Sequence, residues 1–389
     1  MGTTVNGVIP DTDEGEKIRR VYHTSDVLIV GAGVLGCALA VTLGRQGRSV
    51  ILLESSLKEP NRIVGELLQP GGVQALEELG LGECLEGIDA VQVHGYYVGY
   101  CGDGVDIPYP KMTGGSRPEG RSFHHGRFIV KLREAAMACR NVTVVETKAT
   151  ELVTCSLNGQ VLGVKSENHR TRDCYFADVT VVADGYASKF RKGHHAHTPQ
   201  MRSRFYGLEL IDAPLPKPGY GHVLLSPRNP PMLLYQIGTH ETRILVDVPE
   251  NLPSAAVDKG GVRTHLRNVV APSLPESIRG PFFTSLENGQ LRSMPNSFLP
   301  ASTNKTPGLI MLGDALNMRH PLTGGGMTVA FSDVLVMRDV LSPQNVPDLG
   351  DTERVLKQMR DFHWKRKHRS SVINILSMAL YSLFAADSM

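Results

Sequence analysis

The feature that most constrains the fold is the stretch "SDVLIVGAGVLGCALAVTLGRQGRSVILLE" at residues 25–54 of the 389-residue chain. Residues 27–30 are apolar and typical of a buried strand, residues 37–44 are small and apolar as in a closely packed helix, and residues 50–53 are typical of a second buried strand. A glycine-rich turn lies between the first strand and the helix. This order predicts a strand-helix-strand unit with two parallel strands.

The turn contains Gly31, Gly33 and Gly36 in the spacing GxGxxG, and the second strand ends in Glu54. Gly31 permits a tight turn, Gly33 lets a diphosphate approach the backbone, and Gly36 lets the helix pack closely on the strand. The helix N-terminus favours phosphate, and a carboxylate at the position of Glu54 can accept hydrogen bonds from ribose hydroxyls. We therefore predict a dinucleotide site, with a purely structural turn as the alternative.

Two later segments also place an acidic residue and a glycine at the end of an apolar strand. "GLIMLGDA" places Asp314 after a strand at residues 308–312, and "VTVVADGYASKFRK" places Asp184 after a strand at residues 179–183, where we expect a basic helix to follow. The glycines at residues 324–326 open a further helix. Either segment alone fits an ordinary strand-to-helix turn, but together with the first motif they favour FAD over NAD, because the ribityl chain and flavin ring need such donors and acceptors. The three elements resemble the flavin monooxygenases of the p-hydroxybenzoate hydroxylase type, which implies an α/β fold with a Rossmann-type FAD-binding domain.

The segments between these motifs have a different character. Residues 201–291 contain short, partly alternating apolar runs separated by Pro, Gly and Asn, and residues 87–120 are rich in Tyr and Gly. Both patterns predict antiparallel strands, which would form an inserted substrate domain. We therefore expect a disordered tail at 1–24, a discontinuous FAD-binding domain at 25–86, 121–200 and 292–345, a substrate domain at 87–120 and 201–291, and a C-terminal helical region at 346–389.

Composition and motif content argue against several other classes of protein. The formal net charge is +2, with acidic and basic residues interspersed, so no stripe for nucleic acid is indicated. Six cysteines without a CxxC pair argue against a zinc site and against a disulfide framework, and we expect no metal. The histidines of "HHAH" at residues 194–197 are interpreted as a solvated loop. No nucleophile elbow, HExxH or P-loop is present, so the flavin must supply the reactive chemistry.

Several longer motifs carry a family resemblance. "RIVGELLQPGG" at residues 62–72, "FHHGRFI" at 123–129, "LRSMPNSFLP" at 291–300 and "LGDALNMRHPLTGGGMTVAFSD" at 312–333 resemble squalene monooxygenase, also called squalene epoxidase. The resemblance extends from about residue 26 to residue 387. It implies epoxidation of squalene to (S)-2,3-oxidosqualene in sterol or triterpene biosynthesis, using FAD, O2 and electrons that a separate NADPH-dependent diflavin reductase delivers.

The resemblance also implies roles for individual residues. It places the flavin contacts, in addition to the three turn glycines, at Glu54, Arg62, Arg127, Asp314 and Met327. An active-site hydrogen-bonded pair falls on Tyr96 and Tyr235, and Gln69 falls near the flavin and the site of oxygen transfer. Because squalene has no polar atoms, we expect these three groups to position the flavin and line the cavity. For the two arginines a surface salt bridge is the alternative, and for the other three a buried polar network that joins two domains.

The C-terminal segment raises the question of membrane contact. No apolar run reaches the roughly 20 residues that a spanning helix needs. The basic cluster at residues 365–369 precedes a mostly apolar segment, which fits either a helix at a membrane surface or a helix packed on the protein. Family members continue into a further hydrophobic region that this sequence does not contain, so we expect weak attachment to the cytosolic face of the endoplasmic reticulum. For the function, the alternatives to a squalene epoxidase are a paralogue that acts on another prenyl chain and an inactive flavin-binding remnant.

Overall fold

The computed structural model describes residues 13–168, 171–227 and 229–386, which form helices around three sheets. The helices are α1 Asp13–Val21, α2 Val34–Arg45, α3 Pro70–Glu78, α4 His125–Ala138, α5 Gly261–His265, α6 Glu276–Asn288, α7 Gly326–Val340 and α8 Thr352–Ala386. The strands are β1 Thr24–Val30, β2 Val50–Glu54, β3 Leu67–Leu68, β4 Val91–Val93, β5 Gly95–Tyr100, β6 Asp103–Pro108, β7 Gly120–Ser122, β8 Val142–Glu146, β9 Lys148–Thr154, β10 Val161–Glu167, β11 Arg172–Val182, β12 Gln200–Ile211, β13 Gly221–Ser226, β14 Asn229–Gln236, β15 Glu241–Pro249, β16 Arg292–Phe298 and β17 Leu309–Met311.

The first sheet contains the predicted strand-helix-strand unit. Strand β1 lies between β2 and β11, β2 pairs with β8, and β11 pairs with β17, all in parallel. Strands β10 and β9 extend the sheet in antiparallel register beyond β11. Because the carboxyl ends of parallel strands meet at one edge, Gly31, Glu54, Asp184 and Asp314 come to the same side of the sheet.

The core around the first sheet explains why its strands read as continuous apolar runs. Residues 27–30 and 50–53 are at most 6% exposed, because helices and neighbouring strands cover both faces. Helix α2 is buried from Leu35 to Gly44, and its small side chains let it lie against α7 and α4. The helix that follows the glycine turn is therefore held at a fixed position relative to the edge of the sheet.

The second sheet has the strand order β16-β12-β15-β14-β13-β5-β6, with antiparallel pairs apart from the parallel pair β13 and β5. Successive side chains point to opposite faces. On β14, Leu234 packs with the outer core that α6 covers, whereas Leu233 and Tyr235 face the first sheet. Both faces are therefore apolar, which explains the weak alternation in the sequence. A small third sheet consists of β3, β7 and β4, in which β7 pairs with both of the others in antiparallel register.

The structure differs from four sequence-based predictions. Strand β16 pairs with β12 in the second sheet, although residues 292 onward were assigned to the FAD-binding segments. Residues 253–288 form α5, α6 and short helical turns instead of strands, because they cover the outer face of that sheet. The segment after Asp184 forms turns instead of a basic helix. Residues 13–21 of the predicted disordered tail form α1, whose buried Arg19 donates to Thr143 at 2.8 Å, and residues 1–12 lie outside the described residues.

A buried carboxyl lies at the amino end of the first sheet. Asp26 is 3% exposed, and its Oδ2 accepts the backbone N–H of Ser49 at 2.8 Å. Burial, with smaller contributions from Asp178 and Asp348, raises the pKa of Asp26 to about 6, while Ser49 and Arg48 act in the opposite direction. The folded protein therefore holds this proton more tightly than the unfolded chain does.

Asp26→Asn should change how stability depends on pH. The stabilising contribution of the protonated carboxyl is complete below the unfolded pKa and is lost as the pH rises through about 6. We expect the free energy of unfolding of the parent, relative to the variant, to fall by about 2 kcal/mol between pH 4 and pH 7. Urea denaturation at several pH values measures this difference. Asp361→Asn, at an exposed position, is the matched control. Parallel stability curves for the parent and Asp26→Asn would contradict the prediction.

Candidate active site

A cavity runs from the carboxyl edge of the first sheet to the inner face of the second sheet. Eight of the eleven predicted site residues line it: Gly31, Gly33, Glu54, Arg62, Tyr96, Tyr235, Asp314 and Met327. The other three, Gly36, Gln69 and Arg127, lie behind or outside its wall. Its polar end is formed by the strand ends of the first sheet, and its apolar end by side chains of the second sheet.

The glycine turn forms the polar end of the cavity. Gly31 has φ +105°, a left-handed conformation that favours glycine. A Cβ on Gly36 would lie 1.9 Å from the carbonyl oxygen of Gly31, so that helix α2 can approach β1 only without a side chain there. A Cβ on Gly33 would meet nothing within 4 Å, and α2 begins at the next residue. The open backbone at Gly33 and the helix N-terminus fit a diphosphate.

Glu54 is held in a fixed orientation at the end of β2. Its Oε2 accepts the backbone N–H of Ala32 at 2.8 Å and lies 3.5 Å from Nη2 of Arg133. Arg133 itself donates to the carbonyl oxygens of Ala32 and Lys58, each at 3.0 Å. Arg133 was not among the predicted site residues. Its position on the buried face of α4, one turn after Ile129, was the available signal.

The two predicted arginines have different environments. Arg62 lines the cavity, with its guanidinium carbon 5.7 Å from the centroid of the Tyr186 ring. Arg127 lies outside the cavity wall and pairs with Asp89 at 3.7 Å, where both side chains are about 40% exposed. Arg127 therefore matches its alternative reading as a surface salt bridge, whereas Arg62 is placed to contact a cofactor.

The middle of the cavity carries the two later strand-end acids. One oxygen of Asp184, Oδ1, is buried without a hydrogen-bond partner among the described residues, and burial raises the pKa of this carboxyl. Asp314 follows β17 and lines the same wall. Helix α7 begins at Gly326, where an added Cβ would meet nothing within 4 Å. Unpaired acceptors and open backbone amides along one cavity fit the hydroxyl groups and ring edge of a flavin dinucleotide.

A hydrogen-bonded cluster joins Gln69 to two tyrosines near the loop at residues 317–325, which precedes α7 and is called the flavin loop below. Gln69 Nε2 donates to the hydroxyl of Tyr96 and to the carbonyl oxygen of Thr323, the latter at 3.0 Å. Tyr96 donates to the same carbonyl at 2.9 Å, and Tyr109 donates to Gln69 Oε1 at 2.6 Å. Burial raises the pKa of Tyr96 to about 12 and also raises that of Tyr109. Both phenols therefore stay neutral, and the cluster fixes the turn at Thr323.

Tyr235 belongs to a second cluster. Its hydroxyl donates to Glu66 Oε2 at 3.3 Å, and Arg243 makes two bonds of 2.9 Å to the Glu66 carboxylate. Glu66 and Arg243 have side chains at most 6% exposed. Within the described residues, no hydrogen bond joins Tyr96 to Tyr235, so the predicted pair lines one cavity with each hydroxyl bonded elsewhere. Glu66 and Arg243 occur in the motifs "GELLQ" and "ETRIL" but were not assigned roles, because only the fold shows that these opposite charges meet.

Helix α8 supports the flavin loop from behind. Ser377 Oγ lies 2.7 Å from Thr323 Oγ1, and the ring of Tyr381 stacks on His320 at 3.9 Å between centroids. A Cβ on Gly325 would lie 2.6 Å from Cγ2 of Ile373, so that the loop touches the helix closely. The turn that faces the cavity is therefore fixed by side chains from three distant parts of the chain.

Glu54→Gln should weaken FAD binding by about 1 to 3 kcal/mol, since the variant keeps the size of the side chain but loses a charged hydrogen-bond acceptor. Flavin fluorescence titration of the apoprotein measures the dissociation constant. Glu146→Gln is the matched control, because Glu146 is the register partner of Glu54 at the end of β8 and does not line the cavity. Equal FAD affinities of the Glu54 variant and the parent would remove Glu54 from the site.

Solved structures of flavin enzymes share this fold. PqsL, a probable FAD-dependent monooxygenase from Pseudomonas aeruginosa, superposes with a TM-score of 0.77 and 21% identity, covering 94% of this chain and 97% of that one. The p-nitrophenol 4-monooxygenase PnpA from Pseudomonas putida DLL-E4 superposes with a TM-score of 0.74 and 18% identity, covering 93% and 90%. The predicted α/β fold of the FAD-dependent monooxygenases is therefore confirmed.

Sequence relatives are far closer. Residues 176–389 match the family model "Squalene epoxidase". The chain is 70% identical to squalene epoxidase erg1 of Aspergillus fumigatus over 100% of its own length and 82% of that protein. It is 50% identical to squalene epoxidase ERG1 of Gibberella zeae, covering 98% and 80%, and 45% identical to squalene monooxygenase of Mus musculus, covering 93% and 62%. With the cofactor cavity and the matched motifs in one chain, these identities show that the protein belongs to the squalene epoxidase family.

Proposed function

We propose that this chain is an FAD-dependent monooxygenase that epoxidises squalene to (S)-2,3-oxidosqualene with O2 in sterol biosynthesis. The observation that carries the proposal is the continuous cavity, in which a dinucleotide site opens directly onto an apolar wall. Membership of the squalene epoxidase family supports the choice of substrate. The corresponding division into FAD-binding and substrate parts is also part of this proposal, with β16 assigned to the substrate part.

The residues of the polar end would bind and orient FAD. Gly33 and the N-terminus of α2 would hold the diphosphate, Glu54 a ribose, and Asp184 and Asp314 the hydroxyls nearer the flavin. When bound, FAD supplies the redox and oxygen-transfer chemistry. The task of the chain is then to place the ring at the boundary between the two ends of the cavity.

The apolar end would bind the hydrocarbon and exclude water. Val223, Leu233 and Leu245 from three strands of the second sheet line it, and Leu322 from the flavin loop packs with them. The Tyr96 and Tyr235 hydroxyls already donate to protein acceptors. They would therefore shape the wall and hold the flavin loop, since a substrate without polar atoms offers them no alternative partner.

Electrons are proposed to come from a separate NADPH-dependent reductase. The sequence contains one GxGxxG fingerprint, which the FAD site uses, and no second one. NADPH alone should therefore reduce the bound flavin slowly, whereas a diflavin reductase should restore turnover.

The holoprotein, incubated with a diflavin reductase, NADPH, O2 and squalene, should form 2,3-oxidosqualene that mass spectrometry detects. Leu233→Trp should lower turnover because it fills the apolar end, while FAD absorbance is retained, and Leu157→Trp at a fully exposed position is the control. Rapid anaerobic bleaching by NADPH alone would exclude the separate reductase. Epoxidation of other prenyl chains without squalene would show a different substrate.

We also propose that α8 contacts the membrane of the endoplasmic reticulum from the cytosolic side. Its solvent-facing side carries Trp364, Val372, Ile375, Leu376 and Leu383, which are 48–70% exposed, beside the exposed cations Lys365, Lys367 and Arg369. Apolar side chains next to cations suit the boundary between headgroups and acyl chains, and squalene is dissolved in that bilayer. Among the described helices, none combines the length and the apolar content that crossing a bilayer requires.

Liposome flotation tests this contact. The protein should float with anionic liposomes at low salt and less so at high salt, since each cation near the surface contributes about 1 kcal/mol. The double variant Ile375→Ser with Leu383→Ser should stay in the soluble fraction. Val105→Ser with Ile107→Ser, on the exposed edge strand β6, is the matched control and should float like the parent. A parent protein that never floats would refute the membrane contact without affecting the assignment of activity.

A further inference from the structure

Arg319 is a buried cation in the wall of the cavity. It lies in the loop between β17 and α7, two residues before Pro321, and is 9% exposed. Its Nη2 donates to the carbonyl oxygen of Asn317 at 3.2 Å and to Oδ1 of the same residue at 2.8 Å. Its Nε is buried and has no hydrogen-bond partner in the described part of the chain. Part of this guanidinium is therefore left unpaired beside the flavin site.

The neighbouring charges leave positive charge in excess. Arg366 from α8 forms a buried ion pair with Asp333 at 2.8 Å, and it also donates to Oδ1 of Asn317 at 3.0 Å. Asp333 is thus already paired with a cation. Within the described ranges, no carboxylate oxygen lies within 4.0 Å of the Arg319 guanidinium. Arg319 and Arg366 therefore both donate to the amide oxygen of Asn317, while the carboxylate of Asp333 is paired with Arg366.

The environment makes this charge unfavourable without removing it. Burial and, to a smaller extent, repulsion from Arg366 lower the pKa of Arg319 to about 10, while Asp314 and Asp333 act in the opposite direction. Arg319 therefore remains charged at neutral pH. A buried cation without a close anion costs free energy unless a bound group brings negative charge.

We propose that Arg319 stabilises the negative charge that bound FAD carries after reduction. This inference rests on the proposed function, since it requires FAD in the cavity. Oxidised flavin is neutral as a ring, and uptake of two electrons from the reductase and one proton from water leaves it with one negative charge. A cation in a low-dielectric wall interacts strongly with such a charge, so it favours the reduced form selectively. Arg319 is thus a positioning and charge-tuning residue that raises the reduction potential of the flavin.

Arg319→Met and Arg319→Lys separate charge from structure. Sulfite adds to oxidised flavin and leaves a negative charge on the ring, so its affinity reports the same stabilisation without turnover. We expect Arg319→Met to bind sulfite about tenfold more weakly and its two-electron potential to fall by about 30 mV, the value that corresponds to a tenfold change for such a couple. Arg319→Lys should stay within about twofold of the parent, since it retains a cation.

Controls make the outcomes distinct. FAD content is measured for each variant, and Arg319→Gln replaces Arg319→Met if the latter does not retain flavin. Lys305→Met removes an exposed positive charge outside the cavity and should leave sulfite affinity unchanged. Parent-like potential and sulfite affinity in the neutral variants would overturn the proposal, as would an equal loss in Arg319→Lys. Because these measurements use no squalene, a protein that fails to form oxidosqualene would refute the proposed function and leave this result interpretable.

Discussion

The rest of the structure depends on the contact between Gly36 and the carbonyl oxygen of Gly31, where a Cβ has no space. This contact places the N-terminus of α2 directly above the end of β1, and it leaves the backbone of Gly33 open to the cavity. Parallel pairing then brings the ends of β2, β11 and β17 to the same edge. The cofactor site is thus a consequence of how closely one helix can approach one strand, and the acidic side chains complete it.

The second sheet has to be apolar on both faces for different reasons. One face packs against α6, and the other encloses the cavity, with Leu233 and Leu245 as part of its wall. Polar side chains in this region are hydrogen-bonded to one another, as in the cluster of Glu66, Arg243 and Tyr235. A buried ion pair is a weak source of net stability, but it fixes the position of the strand that carries Arg243 relative to the segment that carries Glu66. The apolar wall of the cavity is therefore held in place by a buried ion pair behind the apolar side chains.

Local geometry was enough to predict which strand-end residues come together, and these residues line the cavity. The glycine turn, Glu54 and Asp314 follow from strand ends and spacing, because a short segment determines its own turn. Contacts between distant segments were harder to predict: Arg133 pairs with Glu54 but was not among the predicted residues, and Tyr96 bonds to Thr323 instead of Tyr235. The apolar face of α4 indicates that Arg133 lies on its buried side, but which carboxylate Arg133 meets depends on the neighbouring strands. The same reason explains β16, whose membership of the second sheet depends on pairing with β12, more than eighty residues earlier in the sequence.

Helix α8 has 35 residues and is therefore about 50 Å long. Its inward side pairs with α7 through Arg366 and with the loop before α7 through Asn374 and Ser377, in addition to apolar packing. These polar pairs oppose movement of α8 along its axis, since a shift by one residue would break all three at once. Apolar contacts tolerate small displacements. Because these pairs fix the position of α8 along its axis, a displacement of its outward side would also displace the loop that it contacts through Asn374 and Ser377.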